Sequence, residues 1–241
     1  VLSKGINIMK KIYEQQITLM YLSRLLHKHT QKGDVAKRTL VFTIQVKHLK
    51  NTSSVKKAIF QKIHRALYGK LSSPYEFNFS MFFSSDVESS RGKYLPDEVL
   101  LEPIVPHYHG LIVFNKHDWE KICLNLSYWK GVIRSSISDI VEVKDDEIDN
   151  DGCIKSESIW IDQFDESKVR YAKHRFPLGN YTSYAMKTHL QANNRGIMLH
   201  EPSVFPFDIY DSEADARSAN RLFNDLWKQQ VSYNKSNKDF Y

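Results

Sequence analysis

The sequence predicts an α+β fold with a central, mostly antiparallel sheet and helices packed on one of its faces. Three observations predict it. Segments with alternating apolar residues are interspersed with segments whose apolar residues recur at helical spacing. Hydrophobic residues make up 41% of the 241 residues, enough for a sizeable core. The order strand, helix, hairpin, helix, strand favours antiparallel pairing.

The elements follow from the same patterns in chain order. Strands are predicted for residues 38–48, 76–88, 105–114, 138–146 and 157–164. Helices are predicted for residues 5–29, 54–71, 115–132, 166–176, 181–191 and 212–231. Asn115 and Asn180 are candidate helix caps, and Pro177 would end the helix before it. We expect a domain over residues 38–191, with helical extensions at 1–37 and 192–241.

The composition limits the possible partners. Lys and Arg outnumber Asp and Glu by 34 to 28, a net charge of +6 that is compatible with a polyanion. Cys123 and Cys153 form no C-x-x-C pair, which argues against a zinc ribbon and favours a reducing compartment. No apolar run reaches the roughly 18 residues of a membrane span, and no G-x-x-x-x-G-K-[ST] motif is present. We therefore expect neither a membrane partner nor an ATPase motor.

The stretch VPHYHGLIVF, residues 105–114, places two histidines at alternate positions of a strand. His107 and His109 therefore point to the same face, together with Leu111 and Val113, and Tyr108 points to the other. Two imidazoles on one face of a rigid strand can bind a metal ion. A hydrogen-bonded or surface pair of histidines is the alternative, since the motif is short.

The preceding strand ends in two acids on its polar face, Asp86 and Glu88. If this strand pairs with 105–114, either carboxylate could complete a metal site beside the histidines; the alternative is a solvated strand end. The strand over 38–48 has a polar face too, with Thr43, Gln45 and Lys47 on it. This pattern suggests that one side of the sheet is a working surface.

The segment YTSYAMK places Tyr181, Tyr184 and Lys187 at successive i, i+3 positions, on one face of a predicted helix. A tyrosine and a lysine one turn apart can act together on a phosphate. An ordinary amphipathic helix whose lysine reaches to solvent explains the pattern equally well.

Three segments in order resemble a known family. PHYHG is similar to the His-hydrophobic-His motif of HUH endonucleases, and YAMK to the Tyr-x-x-Lys motif of their replication initiators. VFTIQ stands where these proteins carry their first strand motif. The resemblance covers residues 38–190 and includes the helix between the second and third motifs.

The resemblance implies nicking and rejoining of single-stranded DNA, which initiates rolling-circle replication of a plasmid or phage. A tyrosine would attack a backbone phosphorus, leaving a 5′-phosphotyrosyl enzyme and a free 3′-OH. The Tyr-x-x-Lys register selects Tyr184, with Tyr181 as a possible second tyrosine and Lys187 supplying positive charge. Mg²⁺ or Mn²⁺ would be held by His107, His109 and an acid, for which we expect Glu88, with Asp86 as the alternative.

The expected partners are single-stranded or hairpin DNA and host replication proteins such as a helicase, in the cytoplasm or wherever the element replicates. Candidate phosphate contacts are Lys47, Arg170, Lys173 and Arg175, and a solvated charged face is the alternative for each. Two other functions stay open. A single-tyrosine HUH transposase shares the order of histidines and tyrosine, and a non-catalytic nucleic-acid-binding module would use the same polar sheet face.

Overall fold

The structure is a computed structural model. It describes residues 2–29, 34–45, 52–69, 78–86, 107–141, 159–169, 173–187, 189–190, 201–210 and 212–237. Five strands form one sheet: β1 (Thr39–Gln45), β2 (Phe79–Asp86), β3 (His107–Phe114), β4 (Ile159–Gln163) and β5 (Ser203–Phe205). The helices in these ranges are α1 (Leu2–Leu26), α2 (Thr52–Tyr68), α3 (Lys116–Leu124), α4 (Leu126–Ile137), α5 (Pro177–Ala185), α6 (Phe207–Tyr210) and α7 (Glu213–Ser236).

The sheet has the order β4-β1-β3-β2-β5, and every pairing in it is antiparallel. The predicted α+β class with an antiparallel sheet is thus confirmed. β3 is the central strand: residues 107–113 pair with β1 on one side, and residues 107–114 pair with β2 on the other. A strand hydrogen-bonded on both edges is a rigid support for the side chains it carries.

Helices cover both faces of the sheet, so the prediction of helices on one face is wrong. One core lies under α2 and α4 and contains Phe42, Phe83 and Tyr108. A second core lies on the other face, under α1, α5 and α7. The reason is that the face carrying the histidines is also apolar over much of its area. Its apolar residues, Val41, Phe82, Leu111 and Val113, need helices to shield them from water.

The predicted extensions belong to this second core. Leu22 and Leu25 of α1, Val204 of β5 and Leu226 of α7 are buried in the same cluster as the sheet residues. The extension predicted as helical over 192–241 also contains a strand, because Ser203–Phe205 pairs with β2 at the edge of the sheet. The two ends of the chain therefore help to build the layer over the histidine face.

Several boundaries differ from the sequence prediction. The helix predicted over 115–132 is two helices, because Asn125 ends α3 and its side chain accepts a hydrogen bond from Tyr128 N at the start of α4. Asn115 caps α3 as predicted, accepting from Asp118 N. Residues 138–140, predicted to begin a strand, form a turn after α4, and residues 142–146 lie outside the described residues.

The helix predicted over 166–176 is not an α-helix in the parts that the structure describes, 166–169 and 173–176. Residues 166–168 form one 3₁₀ turn, and residues 173–176 are irregular. Helix α5 begins at Pro177, in the first-turn position where the missing N–H of proline costs nothing. Asn180 is therefore not a cap. It lies in the first turn, where its side chain accepts a hydrogen bond from His174 N and donates one to His174 O.

Candidate active site

The two histidines lie together on one face of β3. His107 and His109 are half-buried, and their ring centroids are 4.9 Å apart with the rings nearly perpendicular. Tyr108 between them is fully buried in the opposite core, where its ring meets that of Phe83 edge to face at 6.2 Å. The alternation predicted for this strand is confirmed, and the buried tyrosine anchors the strand that carries the histidines.

Gly110 lets β3 pack closely against its neighbours. A Cβ at this position would overlap the carbonyl oxygen of Phe82 and the Cζ atom of Phe42. Glycine is therefore required next to His109 because any side chain would push β3 away from β2 and from the core beneath it.

The ring of His109 is oriented by β1. Thr43 is its cross-strand partner, and the Thr43 Oγ1 atom is 2.9 Å from His109 Nδ1. With Nδ1 engaged in this way, the tautomer whose Nδ1–H donates to Thr43 Oγ1 has its lone pair on Nε2. A hydrogen bond from the other ring nitrogen is typical of metal-binding histidines.

Two buried oxygens lie on the strands beside the histidines. Gln45 is the cross-strand partner of His107, and Ser84 is the partner of His109. Gln45 Oε1 and Ser84 Oγ are both buried, and neither has a hydrogen-bond partner among the described residues. Buried polar atoms are normally satisfied, so these oxygens fit a site that receives a cation or a polar ligand.

The carboxylate proposed as third ligand is only partly placed. The backbone of Asp86 pairs with His107 across β2 and β3, and Glu88 lies outside the described residues. Within the described ranges, no group of three His, Cys, Asp or Glu side chains could hold a metal ion. The structure therefore brings two imidazoles together and leaves the identity of the acid as a prediction.

Tyr184 lies over the histidines. Its ring centroid is 5.7 Å from that of His109, and the Lys187 Nζ atom is 5.3 Å from the Tyr184 ring centroid. Tyr184 is 42% exposed, so the residue is accessible from outside the protein. Lys187 follows the C-terminus of α5 rather than continuing its face, yet it contacts the same tyrosine.

Tyr181 occupies a different environment one turn earlier. Its ring packs edge to face on Phe164 at 6.2 Å and lies 6.1 Å from the Tyr184 ring. Burial raises the pKa of the Tyr181 hydroxyl above its ordinary value, and the neighbouring Tyr184 adds to the effect. A tyrosine that resists ionisation and supports a neighbour is suited to packing rather than to attack.

A buried amide network positions the chain just before α5. Gln230 Oε1 accepts from Arg175 N at 3.0 Å, and Gln15 Nε2 donates to Lys173 O at 2.8 Å. Asn234 joins these two glutamines, because its Oδ1 accepts from Gln230 and its Nδ2 donates to Gln15. Through this network α1 and α7 hold residues 173–175, and with them the start of the tyrosine-bearing helix.

The predicted DNA contacts are the least supported part of the site. Lys47 and Arg170 lie outside the described residues. Lys173 and Arg175 are exposed, and the Lys173 amino group lies 3.9 Å from Glu14 Oε2. Their role in binding phosphate stays a prediction.

The sequence pattern places Thr43, Gln45 and Ser84 on the polar faces of their strands but assigns them no role, and it assigns none to Trp160. The strand register adds that Thr43, Gln45 and Ser84 are cross-strand partners of His107 or His109.

Comparison with known proteins adds no relative. No family model, no curated protein and no solved structure matches this chain. None of the described helices is long and apolar enough to cross a membrane.

Proposed function

We propose that this protein nicks and rejoins single-stranded DNA, with Tyr184 as nucleophile and His107 and His109 as metal ligands. The observation that carries the proposal is that Tyr184 of α5 packs against His109 of β3, although the two residues are 75 positions apart in the sequence. The order of the histidines and the tyrosine along the chain is the one expected of a replication initiator. His109 and Tyr184 are 5.7 Å apart between ring centroids, and Lys187 flanks the same tyrosine.

The residues present fit a divalent cation. Two imidazoles with an oxygen donor can hold several divalent metals, and the resemblance to HUH endonucleases points to Mg²⁺ or Mn²⁺. Glu88 or Asp86 would supply the negative charge. Such an ion, when bound, polarises the scissile phosphate. Thr43 orients the His109 ring, and Lys187 contributes positive charge where the phosphate would lie.

In the proposed reaction the Tyr184 oxygen attacks the phosphorus and loses its proton to solvent. The bond from phosphorus to the 3′-oxygen breaks, and that oxygen takes up a proton to become a free 3′-OH. The 5′-phosphate stays on the tyrosine, so the phosphodiester energy is kept for rejoining. A free 3′-OH can prime a polymerase, which supports a role in starting rolling-circle replication of a plasmid or phage, with a host helicase unwinding the duplex.

The test is formation of a covalent adduct. The protein is incubated with single-stranded and hairpin oligonucleotide libraries and Mn²⁺, and the adduct is resolved by denaturing electrophoresis and mapped by mass spectrometry. We expect the nucleotide on Tyr184, loss of the adduct in Tyr184→Phe, and retention in the matched variant Tyr181→Phe. An adduct on Tyr181 would show that the assignment is wrong, and survival of both single variants would support a two-tyrosine mechanism.

A non-catalytic nucleic-acid-binding module is the second candidate, because within the described residues no group of three His, Cys, Asp or Glu side chains could hold a metal ion. It predicts DNA binding that needs no metal and yields no adduct.

The single-tyrosine transposase shares the chemistry of the proposal and differs in its products, since it would join the captured 5′ end to a second DNA.

A further inference from the structure

Trp160 is an exposed aromatic side chain on the same face of the sheet as the histidines. Its neighbours in β4, Ile159 and Ile161, are buried in the core under α2 and α4. Because side chains alternate along a strand, Trp160 points to the opposite face. Its side chain is 43% exposed, and it is the one large exposed hydrophobic residue that the described strands carry.

The strand register places Trp160 in line with the candidate site. Trp160 pairs with Thr43 across β4 and β1, and Thr43 pairs with His109 across β1 and β3. The three residues form one row across the sheet, and Thr43 bonds to the His109 ring at its centre. Neighbouring strands are about 4.8 Å apart, so β4 lies about 10 Å from β3.

If a phosphate of flexible single-stranded DNA lies between His109 and Tyr184, a neighbouring nucleotide of that DNA would lie over this part of the sheet. Tyr184 and Trp160 are then exposed aromatic side chains on either side of Thr43, on a face otherwise covered by helices. An indole presents a large flat surface to an unpaired base, and such stacking tolerates any base because every base has a π face.

We propose that Trp160 stacks on a base of the single-stranded DNA beside the scissile phosphate. The inference rests on the proposed function, since it takes the DNA to be bound at His109 and Tyr184. Stacking would hold the strand in register for attack without reading its sequence. Loss of one stacked base weakens binding by about 5- to 100-fold.

The experiment measures binding of a fluorescently labelled oligo-dT to the full chain with Mn²⁺ present and Tyr184→Phe in the background, which prevents cleavage without removing the metal. The chain with Tyr184→Phe alone serves as the wild type in this comparison. Three variants are compared with wild type. Trp160→Ala removes the ring, Trp160→Tyr keeps an aromatic ring, and Tyr128→Ala removes an aromatic that is 60% exposed on α4, the helix over the other core. We expect a 5- to 100-fold loss for Trp160→Ala, near wild-type binding for Trp160→Tyr and no change for Tyr128→Ala.

Tryptophan fluorescence gives a second readout that a structural role would not move. A stacked base quenches the indole, so wild type should show quenching on binding oligo-dT that Trp160→Tyr lacks. Unchanged affinity in Trp160→Ala, or equal quenching in Trp160→Tyr, would overturn the inference. The same holds if wild type binds no DNA, or if Trp160→Ala changes only the sedimentation behaviour, which would assign the indole to contact between copies.

These outcomes separate the two proposals. If an adduct forms on Tyr184 while Trp160→Ala binds DNA normally, the stacking inference fails and the nicking function stands. If Trp160→Ala weakens binding while no adduct forms under any metal condition, stacking stands and the protein is a binding module.

Discussion

Replacing Thr43 with valine should weaken metal-dependent activity far more than it weakens the fold. Valine keeps the β-branched shape and removes only the hydroxyl, which lies 2.9 Å from His109 Nδ1. A typical hydrogen bond contributes about 1 kcal/mol net, and the half-buried position of Thr43 gives no reason to expect more. The free energy of unfolding should therefore fall by about 1 kcal/mol.

The effect on the proposed metal site should be larger. Without the hydroxyl, the His109 ring loses the hydrogen-bond partner that orients it, and loss of such partners typically costs 10- to 100-fold in metal affinity or activity. The assay is adduct formation at increasing Mn²⁺ concentration, which should require about 10- to 100-fold more metal to reach half-maximal rate.

Thr39→Val is the matched control on the same strand. Thr39 is fully buried, and its hydroxyl donates to Val35 O at 2.8 Å, so this variant loses a hydrogen bond of similar geometry away from the histidines. It should lose similar stability without a change in Mn²⁺ dependence. An unchanged Mn²⁺ dependence in Thr43→Val, or an equal shift in Thr39→Val, would refute the role of Thr43.

Three further predictions concern the support of the site. Gly110→Ala should lower the free energy of unfolding by about 1–3 kcal/mol or more, because the added methyl overlaps Phe82 and Phe42. Gly131→Ala in α4 has open space around the added methyl and should be neutral or stabilising. Equal denaturation midpoints for the two variants would contradict this prediction. Gln230→Ala should destabilise the fold by about 2 kcal/mol and reduce the rate of adduct formation, because it removes the acceptor for Arg175 N in a buried network. Gln229→Ala, at an exposed position of the same helix, should change neither quantity. A normal rate in Gln230→Ala would show that the network does not position the site. Burial lowers the pKa of the Lys56 amine from 10.5 to about 8, so the unfolded chain binds more protons than the folded chain between these pH values. The free energy of unfolding should therefore rise by on the order of 3 kcal/mol from pH 8 to 10.5. This rise should be missing in Lys56→Met, and parallel pH profiles of the two proteins would contradict the prediction.

The sheet face that carries the histidines could be predicted from the sequence because the direction of neighbouring side chains depends on local periodicity. The alternation around His107 and His109 determined that both rings share a face, and the same rule placed Thr43 and Gln45 on a polar face. The i, i+3 spacing placed Tyr181 and Tyr184 together. In these cases backbone geometry alone relates neighbouring side chains, and the structure confirms their grouping.

The errors arose where a boundary depended on capping or on a distant partner. Asn125 divides one predicted helix because its side chain caps α4, and Pro177 starts a helix that the sequence pattern placed four residues later. Ser203–Phe205 is too short to show a period and becomes a strand only because β2 offers an edge to pair with. Each outcome was decided by a single capping or first-turn residue, or by a distant strand edge, rather than by the average character of the segment.

By itself, the sequence determined which residues share a strand face or a helix turn, since side-chain direction repeats with a fixed local period. Only the tertiary structure decided which strands are neighbours, and with that the row Trp160, Thr43 and His109. It also decided that Tyr184, rather than Tyr181, lies exposed over the histidines, because α5 is held by α1 and α7 through buried amides from both ends of the chain. Register and helix docking depend on contacts between residues far apart in sequence, and no local period encodes them.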